Sequence, residues 1–170
     1  MNPGRRLSLE RGFTLIELVI VITIIGILAA VALPRLIDAQ RDARVAKANA
    51  IYGSMRSAVS LARSRCELDL AGTASSLTAI NCSSTPPTVN MDGLMVDIVN
   101  RYPAATVNGI DAAAALNLAA DGLAAGGSGG TRTYDVAGGT LPNCRISYQE
   151  ATLSGALIVA PVISVVTTGC

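Results

Sequence analysis

Apolar and polar positions divide the chain into sharply different stretches. From Phe13 to Leu33 the sequence FTLIELVIVITIIGILAAVAL carries one ionisable side chain, Glu17, and no further charge follows until Arg35. As a helix these 21 residues span about 31 Å, close to the ~30 Å hydrocarbon thickness of a bilayer. Past Pro34 the pattern changes. Ile51, Met55, Ala58 and Ala62 recur at spacings of four, three and four, the stripe of an amphipathic helix. Arg41, Arg44 and Lys47 share another face beside Asp38 and Asp42, and that face reads either as solvated or as a lateral contact with another molecule. A single helix from Phe13 to Arg65 would be about 80 Å long, more than one small globule can bury. Its first half needs lipid or partners, while its second half can lie under a folded head. Pro34 removes a backbone donor and crowds the preceding turn, so a kink or local loosening is expected over residues 30–34. Gly26 permits close helix packing.

The remaining chain changes character twice. Between Cys66 and Gly139 it is small and polar, with Pro86-Pro87, an apolar stretch from Met91 to Val99 and an alanine-rich run from Asp111 to Ala125. Loops with one or two short helices are expected there. Thr131 to Val136, Arg145 to Ala151 and Ala156 to Val166 read as β-strands, rich in β-branched residues and separated by Gly, Pro and Asn. Pro161 suits an edge or a bulge. The predicted fold is α+β: a small antiparallel sheet whose apolar side covers the carboxy-terminal half of the long helix. The domain plan is residues 1–12 as a leader, 13–33 as the apolar helix, 34–65 as its amphipathic half and 66–170 as the head.

Composition narrows the function. Thirteen Lys and Arg oppose twelve Asp and Glu, leaving no basic field for nucleic acid. Histidine is absent, which removes the commonest general base and the commonest metal ligand together. No nucleophile and base can be assembled, so no enzyme is read here. Gly126-Gly127-Ser128-Gly129-Gly130 lacks the lysine and following hydroxyl of a phosphate-binding loop, and no cofactor is implied. The four cysteines form no CxxC pair, so they suggest disulfides rather than a metal site. Three pairings are open to them. Pairing neighbours along the chain joins Cys66 to Cys82 and Cys144 to Cys170, but sequence does not choose among the three.

Residues 1–12 carry Arg5, Arg6 and Arg11 against Glu10 alone, a charge bias that orients the following apolar segment with its amino terminus on the cytoplasmic side. A secretory signal would place its small-residue cleavage site after the apolar run, whereas here Gly12 precedes it. The string Arg11-Gly12-Phe13-Thr14-Leu15-Ile16-Glu17 closely resembles the processing site of type IV prepilins. That resemblance implies a cut after Gly12, N-methylation of Phe13 by a prepilin peptidase/N-methyltransferase, and a role in assembly for Glu17. In the family, such a carboxylate meets the Phe13-like amine of a neighbouring subunit, and a proline at the place of Pro34 loosens the helix as subunits pack. An ordinary reading of Glu17 stands beside this one, a carboxylate at interface depth that suits the helix dipole.

Further stretches resemble pilins of the mannose-sensitive haemagglutinin type: Pro34-Arg35-Leu36, Asp42 to Ala46, Tyr102 to Thr106 with Gly109-Ile110, Cys144 to Tyr148, Glu150 to Thr152, and Gly169-Cys170. The resemblance implies the type IV pilin fold with a disulfide-closed carboxy-terminal region exposed on its surface. It also implies an inner-membrane precursor, a pilus assembly platform and an extracellular filament of like subunits, used for adhesion and surface attachment, with motility or DNA uptake as the other uses. The alternatives are a pseudopilin of a type II secretion system or a minor pilin, which share the leader and helix. A single-pass anchored binding domain is the rival from another class.

Overall fold

The computed structural model describes residues 12–72 and 82–170, so residues 1–11, most of the expected leader, lie outside it. Two compact units result, one ending at Gln40 and the other comprising Arg41–Cys170. Helix α1 runs Leu15–Leu70, starting two residues later and ending five later than the pattern predicted. It is unbroken through Pro34, so the local loosening expected at residues 30–34 is not seen. A lone proline deletes one hydrogen bond from the ladder, and here the helical residues on both sides keep the turn in place.

The folded unit is built on one stripe of α1. Ala48, Ile51, Met55, Ala58, Val59, Ala62 and Cys66 are buried at spacings of three and four, as the amphipathic pattern requires. Three small antiparallel sheets accompany it. The first comprises β1 (Thr88–Met91), β2 (Leu94–Val99) and β3 (Tyr102–Pro103). Its Val89, Val96 and Ile98 enclose Ala62 and Cys66. The second has the order β4-β5-β6-β9, from Leu123–Gly126, Thr131–Val136, Arg145–Gln149 and Val162–Val166. Its inner face brings Tyr134, Val136, Ile146 and Tyr148 against Ala48, Ile51, Met55 and Val59. The third is the hairpin of β7 (Thr152–Ser154) and β8 (Leu157–Val159).

The expected loops between Cys66 and Gly139 are therefore partly strands. Asp92 and Gly93, both at positive φ, form the two-residue turn between β1 and β2, and Gly93 N–H donates to Asn90 Oδ1 at 3.0 Å. The alanine-rich run is not a helix. Val107–Asp111 forms a π-helical turn continued by only two α-helical residues, and turns then lead into β4. Helix propensity yields here because Asp111 and Ile110 are drawn into the core. The long last strand, expected over Ala156 to Val166, divides at Pro161 into β8 and β9, leaving β9 at a sheet edge.

Candidate functional site

Chemistry of interest lies at the helix start and in the segment closed by Cys144 and Cys170. Gly12, Phe13 and Thr14 precede α1, and Phe13 is 86% exposed. Thr14 Oγ1 accepts the backbone N–H of Glu17 at 3.3 Å, capping one of the four donors a helix start leaves unpaired. Thr14 and Glu17 have the spacing of a capping box. The sequence reading weighed Glu17 only for its charge and missed this, although Thr-x-x-Glu before an apolar run is legible. Glu17 also lies in the first turn, where the helix dipole favours a carboxylate.

Behind Glu17 the helix is apolar on every side. Its most apolar window has mean hydropathy 2.9, and none of that window is buried. Ile16, Ile27, Leu28 and Val31 are each more than 60% exposed. Burying one such side chain is worth about 1.5–3 kcal/mol, so the 11 large apolar side chains exposed from Leu18 to Leu33 represent tens of kcal/mol of burial that the described residues leave unmade. Thr23 does not interrupt this surface, because its hydroxyl donates to Ile20 O at 2.8 Å within the helix.

The other end of the chain is fastened several times over. Disulfides join Cys66 to Cys82 and Cys144 to Cys170, and no described cysteine is free. Arg44 Nε donates to the carbonyl of Cys170, while Thr140 N–H donates to Gly169 O at 2.8 Å and Gly169 N–H to Asn143 O at 2.9 Å. Arg44, read from sequence as part of a solvated or lateral face, thus ties α1 to the last disulfide. Periodicity could not reveal this, because the partner is a backbone carbonyl 126 residues away. Gly139 is required by the bridge, since a Cβ there would stand 2.4 Å from Cys144 Cβ.

Beneath the segment lies a polar network. Asp111 accepts from Arg132 Nε at 2.8 Å, from the second Arg132 nitrogen and from the Tyr134 hydroxyl. Arg132 also lies over the Tyr134 ring at 5.8 Å. Tyr148 donates to Pro103 O at 2.5 Å, the Ala105 N–H to Glu150 Oε2 at 2.8 Å, and Asn100 Nδ2 to Ala151 O at 2.8 Å. The stretches around Tyr102, Tyr148 and Glu150 therefore meet in space. Burial, reinforced for Tyr134 by the Asp111 carboxylate, pushes both the Tyr134 and Tyr148 hydroxyls well above the ordinary phenol range. The Asp111 hydrogen bond raises the Arg132 guanidinium. Among the described residues no cluster of three or more His, Cys, Asp or Glu could hold a metal.

A capped helix long and apolar enough to cross a membrane, continuing into a disulfide-bonded head of helix and antiparallel sheets, defines the pilin-like α+β class. Residues 7–33 match the family described as the prokaryotic N-terminal methylation motif. Over 52 residues, 31% of this chain, it is 52% identical to the "Type IV narrow pilus major component PilA5" of Thermus thermophilus. Over the same length it is 54% identical to a "Type IV major pilin protein PilE1" of Neisseria gonorrhoeae and 48% identical to the "Type IV major fimbrial protein FimA" of Dichelobacter nodosus. The chain spans 45%, 32% and 33% of these three relatives, less than half of each. The amino-terminal segment is thus similar to those of type IV pilins. No solved structure matched the chain.

Proposed function

We propose that this chain is the precursor of a type IV pilin, a structural subunit that polymerises into an extracellular filament. The observation that carries this reading is the fully exposed apolar helix behind a capped Glu17, within a segment that matches the methylation motif. In this reading residues 1–12 are removed after Gly12, Phe13 is N-methylated, and the precursor waits in the inner membrane with its amino terminus inside. Assembly then exchanges lipid for the helices of neighbouring copies. An amino group with an ordinary pKa near ~7.7 is mostly protonated at neutral pH, so the Phe13 amine of one subunit attracts the Glu17 carboxylate of another. Pro34 is assigned the point where α1 loosens on packing. The names of the relatives favour a filament-building subunit, and the stretches from Pro34 to Cys170 quoted above support the mannose-sensitive haemagglutinin subtype with an adhesive role.

The test is the intact mass of the protein in filaments sheared from its source cells, before and after reduction. Residues 13–170 plus one methyl group, gaining four hydrogens on reduction, is the expected result. Processed protein confined to the membrane fraction would move the secretion pseudopilin or minor-pilin reading ahead, and retention of residues 1–12 would overturn the pilin reading. Glu17→Gln is expected to be processed and membrane-bound yet poorly assembled; wild-type filament yield from that variant would remove Glu17 from the mechanism.

A further inference from the structure

Strand β9 occupies one end of the four-stranded sheet, and β6 is its only strand neighbour among the described residues. Protein sheet edges are commonly blunted by charge, bulges or cover. This edge carries no charge: from Ala151 to Cys170 the chain has no Asp, Glu, Lys or Arg. Its sequence, Val162-Ile163-Ser164-Val165-Val166, is also nearly the same read in either direction about Ser164. Val162, Ser164 and Val166 are exposed on one face, while Ile163 and Val165 are half-buried on the other.

We propose that the outer edge of β9 is a self-association surface, on which two copies of this chain pair β9 to β9, antiparallel about Ser164 across a two-fold axis. In that register Val162 of each copy faces Val166 of the other, Ile163 faces Val165, and Ser164 faces its own equivalent. Every position meets a side chain of its own kind, which satisfies the self-complementarity an isologous contact demands. Charge also permits the approach. The ionic pair beside the Val166 end, Arg145 with Asp135, is neutralised internally. Arg56, in the groove of about 400 Å³ beside Pro161 and Val162, lies at the opposite end of the strand from Val166. The other sheet edge, β4, has the sequence Leu-Ala-Ala-Gly and lacks this symmetry.

Area decides the setting in which the contact matters. A five-residue edge is about 17 Å long, and its pairing buries well below the ~800 Å² per partner of stable complexes. The contact is therefore weak for one pair and gains strength where many copies are held in an array. Subunits within one helical filament are related by a rotation and rise, not a two-fold axis, so this pairing joins heads of different filaments. The filament-to-filament setting rests on the pilin reading, whereas the pairing itself is measured on the chain in detergent, so failure of the one is distinguishable from failure of the other.

Ser164→Cys places one thiol on the proposed axis, and the native cysteines in the described disulfides do not compete for it. With a short bismaleimide and the full processed chain in micelles, this variant should form covalent dimers about tenfold faster than the exposed control Ala156→Cys. Two paired variants in the Ser164→Cys background test the register. Val162→Lys with Val166→Lys sets lysine opposite lysine twice and should return crosslinking to the control rate. Val162→Lys with Val166→Glu sets lysine opposite glutamate twice and should keep the fast rate. Equal rates for Ser164→Cys and Ala156→Cys, or equal behaviour of the two paired variants, would overturn the proposal. All the substituted positions are exposed, and retained native disulfides on peptide mapping would verify folding.

Discussion

Removing the Asp111 carboxylate should unfasten the head more than any surface change. Its side chain is 4% exposed and accepts three hydrogen bonds, two from Arg132 and one from the Tyr134 hydroxyl. Asp111→Ala strands the Arg132 guanidinium, itself 15% exposed, beside an unpaired phenol. Breaking a buried ion pair from one side costs about 3–5 kcal/mol, and the residual water access of Arg132 argues for roughly 4. In Asp111→Leu with Arg132→Met both charges are gone and apolar volume is kept, so most of that loss should return. The assay is urea unfolding of the processed chain in detergent, followed by tyrosine fluorescence, because the chain has four Tyr and no Trp. With a denaturant slope of about 2 kcal/mol/M, the single variant should lower the midpoint by about 2 M. A shift below about 0.5 M, or a double variant less stable than the single one, would refute this account of the network.

Other consequences are open to the same measurement. Replacing both Cys144 and Cys170 by Ala opens a loop of sequence separation 26, worth about 3.5 kcal/mol of unfolded-chain entropy. The Cys66–Cys82 loop, at 16, is worth about 3.1, so the first pair should cost slightly more, and clearly more if its ties to Arg44 and Thr140 also loosen. Alkaline pH should weaken the head. Tyr134 and Tyr148 keep their protons in the folded state beyond the ordinary value of 10.0, so their contribution is intact below that pH and falls as pH rises past it, when the unfolded chain releases protons first. The urea midpoint should therefore drop between pH 9 and 11, and Tyr148→Phe should flatten part of that drop.

Much of this protein was legible as pattern. The unbroken apolar run, its lone Glu17, the small residue before it and the stripe from Ile51 to Ala62 are local regularities whose periods follow from helix geometry and bilayer thickness. β-branched runs likewise marked β5, β6 and β9. The Asp92-Gly93 turn and the Thr14–Glu17 cap were equally local; both signals lay in the sequence and went unread.

What the sequence by itself determined was therefore the long apolar helix, the buried helix face and the strands with strong local character. Only the tertiary structure decided the rest. The alanine-rich run after Asp111 gave up helix because Ile110, Asp111 and Leu123 are buried, and tertiary burial outweighs propensities worth a few tenths of a kcal/mol per residue. Arg44 found Cys170, Asp111 found Arg132 and Tyr134, and Tyr148 found Pro103 across separations of 126, 21, 23 and 45 residues. Such pairings have no period to read. They exist because a buried polar group must find whichever partner the folded chain brings within hydrogen-bonding distance.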